Sequence, residues 1–137
     1  MADLATQYLG LQLPTPLVLA SSALSNRVDN LEMAEGHGAG AVVLRSLFEE
    51  QLEAANTVLE EALARGADSN PEARTYFPPQ RVVPHEYLSL VERAKRALQI
   101  PVIASLNCCA PGSWTSYARD IEQAGADAIE VNLYAVE

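Results

Sequence analysis

One rhythm constrains this chain more than any other feature: short runs of branched apolar residues recur between longer amphipathic stretches. Each run is too short to bury a helix and rich enough in branched side chains to form a strand. The runs are Leu17-Val18-Leu19-Ala20, Ala41-Val42-Val43-Leu44, Val102 to Leu106, and Ala128 to Leu133. Pro14 and Pro16 break any helix ahead of the first run, and Pro101 does the same ahead of the third. A strand that alternates with a helix returns to the same end of the sheet each time, so the pattern predicts βαβ units around a parallel sheet.

The helices between the strands follow from apolar spacing. The first spans about Asn26 to Glu35, with Ser25 or Asn26 able to cap it, and ends in Gly36-His37-Gly38. A long excursion from Leu47 to Val83 follows the second strand. In its first part Phe48, Leu52, Ala55, Leu59 and Ala62 fall on one helical stripe; its remainder, Asp68 to Pro84, carries four prolines and reads as a loop. Tyr87, Val91, Ala94 and Leu98 mark the next helix of the repeating unit. Trp114, Tyr117 or Ala118, Ile121 and Ala124 mark the last, with Ser113 as its cap.

An internal echo supports this register: Gly38-Ala39-Gly40-Ala41-Val42-Val43 and Gly125-Ala126-Asp127-Ala128-Ile129-Glu130 both lie at a helix-to-strand junction. Repeated units suit either a closed eight-stranded barrel or an open doubly wound sheet. No G-x-G-x-x-G follows any strand, and the barrel is preferred. The expected architecture for residues 1–137 is therefore α/β: the first half, about four strand–helix units, of a TIM (β/α)8 barrel with parallel strands, as one incomplete domain. A half barrel exposes the outer edges of its first and fourth strands, and such edges are covered by pairing. A homo-oligomer, or pairing with a complementary half barrel, is expected.

Charge and composition exclude several classes. Nine Lys and Arg against eighteen Asp and Glu give a net charge of −9, which disfavours nucleic acid as a partner. No apolar stretch approaches the roughly 18 to 20 residues of a membrane span, and the first residues lack the basic-then-apolar pattern of a secretory signal. A cytoplasmic location is expected. Cys108 and Cys109, the two cysteines, are adjacent, a spacing that builds neither a disulfide framework nor a zinc site. No metal is expected, and both thiols read as small free residues of a loop.

In β/α barrels the working groups sit at the C-terminal ends of the strands. Those ends are Ala20-Ser21-Ser22, Arg45-Ser46, Ser105-Leu106-Asn107 and Asn132-Leu133-Tyr134. They offer hydroxyls, amides and one guanidinium, a set able to bind a polar, planar, anionic small molecule but lacking a nucleophile–base pair. Plainer roles exist for each. Ser21 and Ser22 could close a turn, Arg45 could pair with Glu49 or Glu50, and Asn107 could close a turn ahead of Pro111-Gly112. His37 and His85 read as surface residues and the Glu49 to Glu61 run as a solvated helix face.

Several stretches resemble the N-terminal half of the dihydroorotate dehydrogenase family, in its dihydroorotate dehydrogenase-like members. They are Tyr8-Leu9-Gly10-Leu11, Pro16 to Ser21, Gly38 to Ser46, Pro101 to Ser105, and Glu122 to Asn132 with its Glu-x-Asn ending. The resemblance implies an oxidoreductase of pyrimidine biosynthesis that uses flavin mononucleotide (FMN) to oxidise dihydroorotate to orotate. It implies a flavin site of Ala20, Ser21, Arg45, Ser46, Ser105, Asn107 and Asn132, with Arg45 standing where the family carries a lysine. The family's asparagine-rich substrate loop is replaced by Ala73-Arg74-Thr75-Tyr76-Phe77-Pro78, and Leu133-Tyr134-Ala135 stands where a cysteine or serine base is expected. The catalytic base is therefore unassigned, and the chain alone is expected to be inactive. The alternatives are a non-catalytic half barrel acting through self-association or partner binding, and another phosphate-binding barrel enzyme.

Overall fold

The computed structural model describes residues 3–48, 57, 85–108 and 114–133. The helix expected through residues 48–62 lies outside these, apart from helical Thr57, as do the proline-rich loop, the Ser113 cap and Cys109.

The chain opens on a feature the strand pattern did not reveal, an antiparallel hairpin of β1 (Thr6–Tyr8) and β2 (Leu11–Leu13). Its two-residue turn, Leu9-Gly10, has positive φ at both positions (53° and 78°), as the tight turn that matches strand twist requires. Leucine is an unusual occupant of that backbone region, where its Cβ is crowded.

The main sheet contains β3 (Val18–Leu19), β4 (Ala41–Val43), β5 (Leu47–Phe48), β6 (Val102–Cys108) and β7 (Ala128–Leu133), and every pairing in it is parallel. β7 runs beside residues 103–108 of β6, so β4 and β5 share the opposite edge of β6, one after the other. They are two pieces of one interrupted strand. The order across the sheet is then β3, β4 with β5, β6, β7, the order in which the chain lays them down. Phe48, expected to start a helical stripe, belongs instead to strand β5.

Among the described residues, besides helical Thr57, three helices connect the strands: α1 (Val28–Gly36), α2 (His85–Ala97) and α3 (Trp114–Gln123). All three pack on one face. Leu31 of α1, Leu90, Val91 and Ala94 of α2, and Tyr117 and Ile121 of α3 form one core with Val42, Leu44, Leu47, Val102, Ala104 and Leu106. On the other face Ala41, Val43 and Ile103 form a second cluster with Leu13 of the hairpin. A doubly wound sheet carries helices on both faces; sequential parallel strands with helices on one face are compatible with part of a β/α barrel. The cap expected at Ser25 or Asn26 is not made: Arg27 occupies that position without a side-chain hydrogen bond, and Ser25 is buried against Ser22.

The helix-to-strand turns are held by carboxylates from distant segments. Glu35 accepts the backbone N–H groups of Gln99 (2.8 Å) and Ile100 (3.0 Å). Asp127 accepts from the Val102 N–H at 2.7 Å and from Lys95 Nζ at 2.7 Å. The echoed glycines Gly38 and Gly125 have φ of 92° and 95°, which frees the chain to reverse from helix into strand. Gly40 serves a different need: its N–H donates to the Leu17 carbonyl at 2.7 Å, and a Cβ there would overlap the Thr15 carbonyl oxygen. Gly40→Ala should therefore push β3 off β4 and destabilise the protein by about 2–4 kcal/mol, read as a lower urea midpoint.

Candidate functional site

The interruption between β4 and β5 decides which side chains face the interior. Val43 pairs with Ile103, and the next paired residue, Leu47, lies opposite Leu106. That is four steps along one strand against three along the other, so one extra residue is inserted within positions 44–46. Such a bulge reverses the alternation of side chains beyond it. Leu44 and Leu47, three apart, both pack into the helix-side core, Arg45 is exposed, and Ser46 joins the opposite face.

The bulge also takes ladder partners away from Ser105, and α2 supplies replacements. Leu44 N–H still donates to the Ile103 carbonyl at 2.8 Å. Two residues on, the Ser105 N–H donates to the Tyr87 phenol oxygen at 3.0 Å, and the phenol donates back to the Ser105 carbonyl at 3.3 Å. Burial is the chief cause that pushes the Tyr87 phenol up to about 12 from 10.0; the nearby Glu130 charge adds to the rise, and the bond from the Ser105 backbone opposes it.

On the interior face polar side chains meet in one continuous row across all four strand positions. Ser21, just past β3, lies 2.9 Å from Ser46 Oγ, and its hydroxyl oxygen accepts the Ser46 N–H at 2.8 Å. Ser46 Oγ lies 2.8 Å from Ser105 Oγ, and Ser105 donates to Glu130 Oε1 at 2.7 Å. Asn132 Nδ2 donates to the same Glu130 oxygen at 3.3 Å and to Asn107 Oδ1 at 2.8 Å. Register explains the convergence, because Ser105 pairs with Glu130 and Asn107 with Asn132 directly across β6 and β7. Ser105 is fully buried, Ser21, Ser46, Asn107 and Glu130 are half-buried, and Asn132 is exposed.

Of the residues singled out from the sequence, Ser21, Ser46, Ser105, Asn107 and Asn132 are thus brought together. Ala20 is exposed beside Ser21. The exposed Arg45 side chain is turned away from the interior row and lines an open cleft with Asn26, His85 and Arg93, a cleft that Ser46 and Tyr87 also line. Its expected carboxylate partners Glu49 and Glu50 lie outside the described residues, as does the Tyr134-Ala135 pair after β7. Two residues of the arrangement were not foreseen. Glu130, at the centre of the row, shares strand parity with Asn132, which was the available signal. Tyr87 read only as a core position, since nothing local announces a partner on a distant strand. Among the described residues no group of three or more His, Cys, Asp or Glu side chains is placed to hold a metal ion, and no helix is long and apolar enough to cross a membrane.

No family model matches the chain. It is similar to the catalytic subunit of dihydroorotate dehydrogenase B (NAD(+)) from Thermoplasma acidophilum, with 30% identity over 138 aligned residues that cover 97% of this chain and 42% of that protein. The relationship is a distant one. The chain spans about two fifths of the length of the relative it matches.

Tyr87→Phe keeps the ring but removes both bonds to the Ser105 backbone, so it should destabilise the protein by about 1–3 kcal/mol in urea unfolding. The phenol's raised value also fixes a pH dependence. Its contribution is complete below 10 and is lost as pH rises through about 12. Alkaline unfolding curves of the wild type should show that loss, and those of Tyr87→Phe should not.

Proposed function

We propose that this chain supplies part of the ligand site of an FMN-dependent, dihydroorotate dehydrogenase-like oxidoreductase. The observation that carries this reading is the hydrogen-bonded row at the C-terminal ends of consecutive parallel strands, where β/α enzymes place their working groups. The distant similarity to a dihydroorotate dehydrogenase subunit supports it.

The donor set suits the polar edge of a flavin or of an orotate-like ring, where two carbonyl acceptors flank an N–H donor. Glu130 accepts, the asparagine amides donate, and the serine hydroxyls do either. The row would hold such a ring by its edge, and the apolar residues Val43 and Ile103 lie below it on the same face. FMN, when bound, supplies the acceptor for a hydride. The chain's own residues bind and orient: Ser46 is held from two sides by Ser21 and Ser105, so its hydroxyl is positioned before any ligand arrives. Oxidation of dihydroorotate to orotate in a cytoplasmic pyrimidine pathway is the activity that goes with this reading.

A second reading, association through the sheet edges, is favoured by one observation. Among the described residues the outer edges of β3 and β7 have no strand partner, and Leu17 and Leu133 beside them are 63% and 75% exposed. A second copy or a complementary half barrel would cover both. Sedimentation velocity should show a species larger than a 14.8 kDa monomer; a monomer at micromolar concentration would count against edge pairing.

Flavin binding is tested by titrating FMN into the chain, alone and mixed with a polypeptide carrying the complementary strands, while flavin fluorescence is followed. Quenching that weakens about tenfold in Asn132→Ala, the loss of roughly one charge-independent hydrogen bond, is the expected result. Unchanged fluorescence in both settings would overturn the site assignment.

A further inference from the structure

The row of hydroxyls has a direction, and the direction follows from counting protons. A serine hydroxyl carries one proton and can accept through its oxygen. Ser105 donates its proton to Glu130, which as a carboxylate can only accept. The bond between Ser46 and Ser105 must then be donated by Ser46. With the Ser46 proton committed there, the bond between Ser21 and Ser46 must be donated by Ser21. Three hydroxyls, one past β3, one at the bulge and one on β6, thus point the same way, towards one carboxylate on β7.

Neighbouring groups neither branch the row nor prolong it. The Ser46 N–H donates to the Ser21 oxygen and leaves the hydroxyl proton free to point forward. The Tyr87 phenol gives its proton to the Ser105 carbonyl and receives the Ser105 N–H, so it holds the backbone without entering the hydroxyl sequence. Beyond Glu130 stand Asn132 and Asn107, whose amides donate but do not accept and release a proton in turn. The last hydroxyl, Ser105, is fully buried, which keeps bulk water from the step to Glu130; Ser21 and Ser46 are half-buried.

We propose that Ser21, Ser46 and Ser105 form a proton path, oriented at rest, that carries a proton from a ligand at the end of β3 to the Glu130 carboxylate on β7. As Ser21 takes the ligand's acidic proton it passes its own to Ser46; Ser46 passes its own to Ser105, and Ser105 passes its own to Glu130 Oε1. One O–H bond forms at each oxygen as one breaks, the ligand is left with one negative charge more, and Glu130 ends as the neutral acid. No oxidant is consumed. This deepens the flavin-site reading by giving it a destination for the proton that a dehydrogenation must release, and depends on that reading only for the identity of the donor.

Among the described residues, His85, Glu86 and Arg93 of α2 line the cleft that Ser46 also lines. Tyr87 faces the path from α2 and feels the Glu130 charge. Arg45 is exposed on the bulge beside Ser46. Lys95 and Asp127 pair with each other ahead of β7, three residues from Glu130.

The test needs no ligand. With serine and glutamate labelled with 13C, the Glu130 side-chain carbon, assigned through Glu130→Gln, is followed by NMR across the acid range together with Cβ of the three serines. In the wild type, Ser21, two hydroxyls away from the one that touches Glu130, should shift with the Glu130 midpoint. Ser46→Ala should flatten Ser21 while Ser105 still follows Glu130, and Ser46→Thr, which keeps a hydroxyl, should retain the coupling at Ser21. Glu130→Gln should flatten all three serines. A Ser21 signal that ignores Glu130 in the wild type overturns the path, whatever the variants do; so does a Ser21 transition that survives Ser46→Ala or Glu130→Gln. Because flavin takes no part in these measurements, failure of flavin binding and failure of the path are separately visible.

Discussion

A single inserted residue between β4 and β5 organises the interior of this protein. Without it, strict alternation from Val43 would bring position 45 to the interior face and turn position 46 towards the helices. With it, Leu44 and Leu47 both enter the apolar core and Ser46 meets Ser105. The insertion strips the Ser105 backbone of partners on the β4–β5 side, and buried backbone groups without partners are costly. Tyr87 makes the arrangement tolerable by satisfying the N–H and the carbonyl of the same residue. Helix, bulge and polar row are therefore one construction, since the phenol that completes the backbone of Ser105 stands behind the hydroxyl that Ser105 presents to Glu130.

The interior face is graded along the strands. At their N-terminal ends it carries Ala41, Val43, Ile103 and Ala128, packed with Leu11 and Leu13. Towards their C-terminal ends it carries Ser46, Ser105, Asn107, Glu130 and Asn132. β6 and β7 make the change in the same register: Ile103 lies beside Ala128, Ser105 beside Glu130 and Asn107 beside Asn132. Apolar pairs supply packing, polar pairs supply mutual hydrogen bonds, and neither intrudes on the other.

Most of the architecture was legible because it rests on period and punctuation. The strands at Ala41 and Ala128, the helices from His85 and Trp114, and their parallel order follow from runs of Val, Ile and Leu separated by amphipathic turns and stopped by Pro101 or by glycine. What was not legible depends on contacts between segments far apart in the chain. The hairpin at Thr6–Leu13 is too short and too polar to stand out beside the longer runs. The bulge has no local signature, so Phe48 read as the start of a helical stripe. At the site, strand ends nominated Ser21, Ser46, Ser105, Asn107 and Asn132, which do converge. Arg45, nominated by the same rule, is carried away from them by the inserted residue. Glu130 went unnoticed because a carboxylate in mid-strand is recognisable as a hub only when its cross-strand partners are known.

The hairpin gives this gradient a further meaning. Leu13 is buried against Ala41, Val43 and Ile103, so the apolar end of the interior face is stoppered by a segment that contributes nothing to the main sheet. Among the described residues the opposite, polar end of that face has no such plug, and there the amides of Asn107 and Asn132 meet each other across β6 and β7.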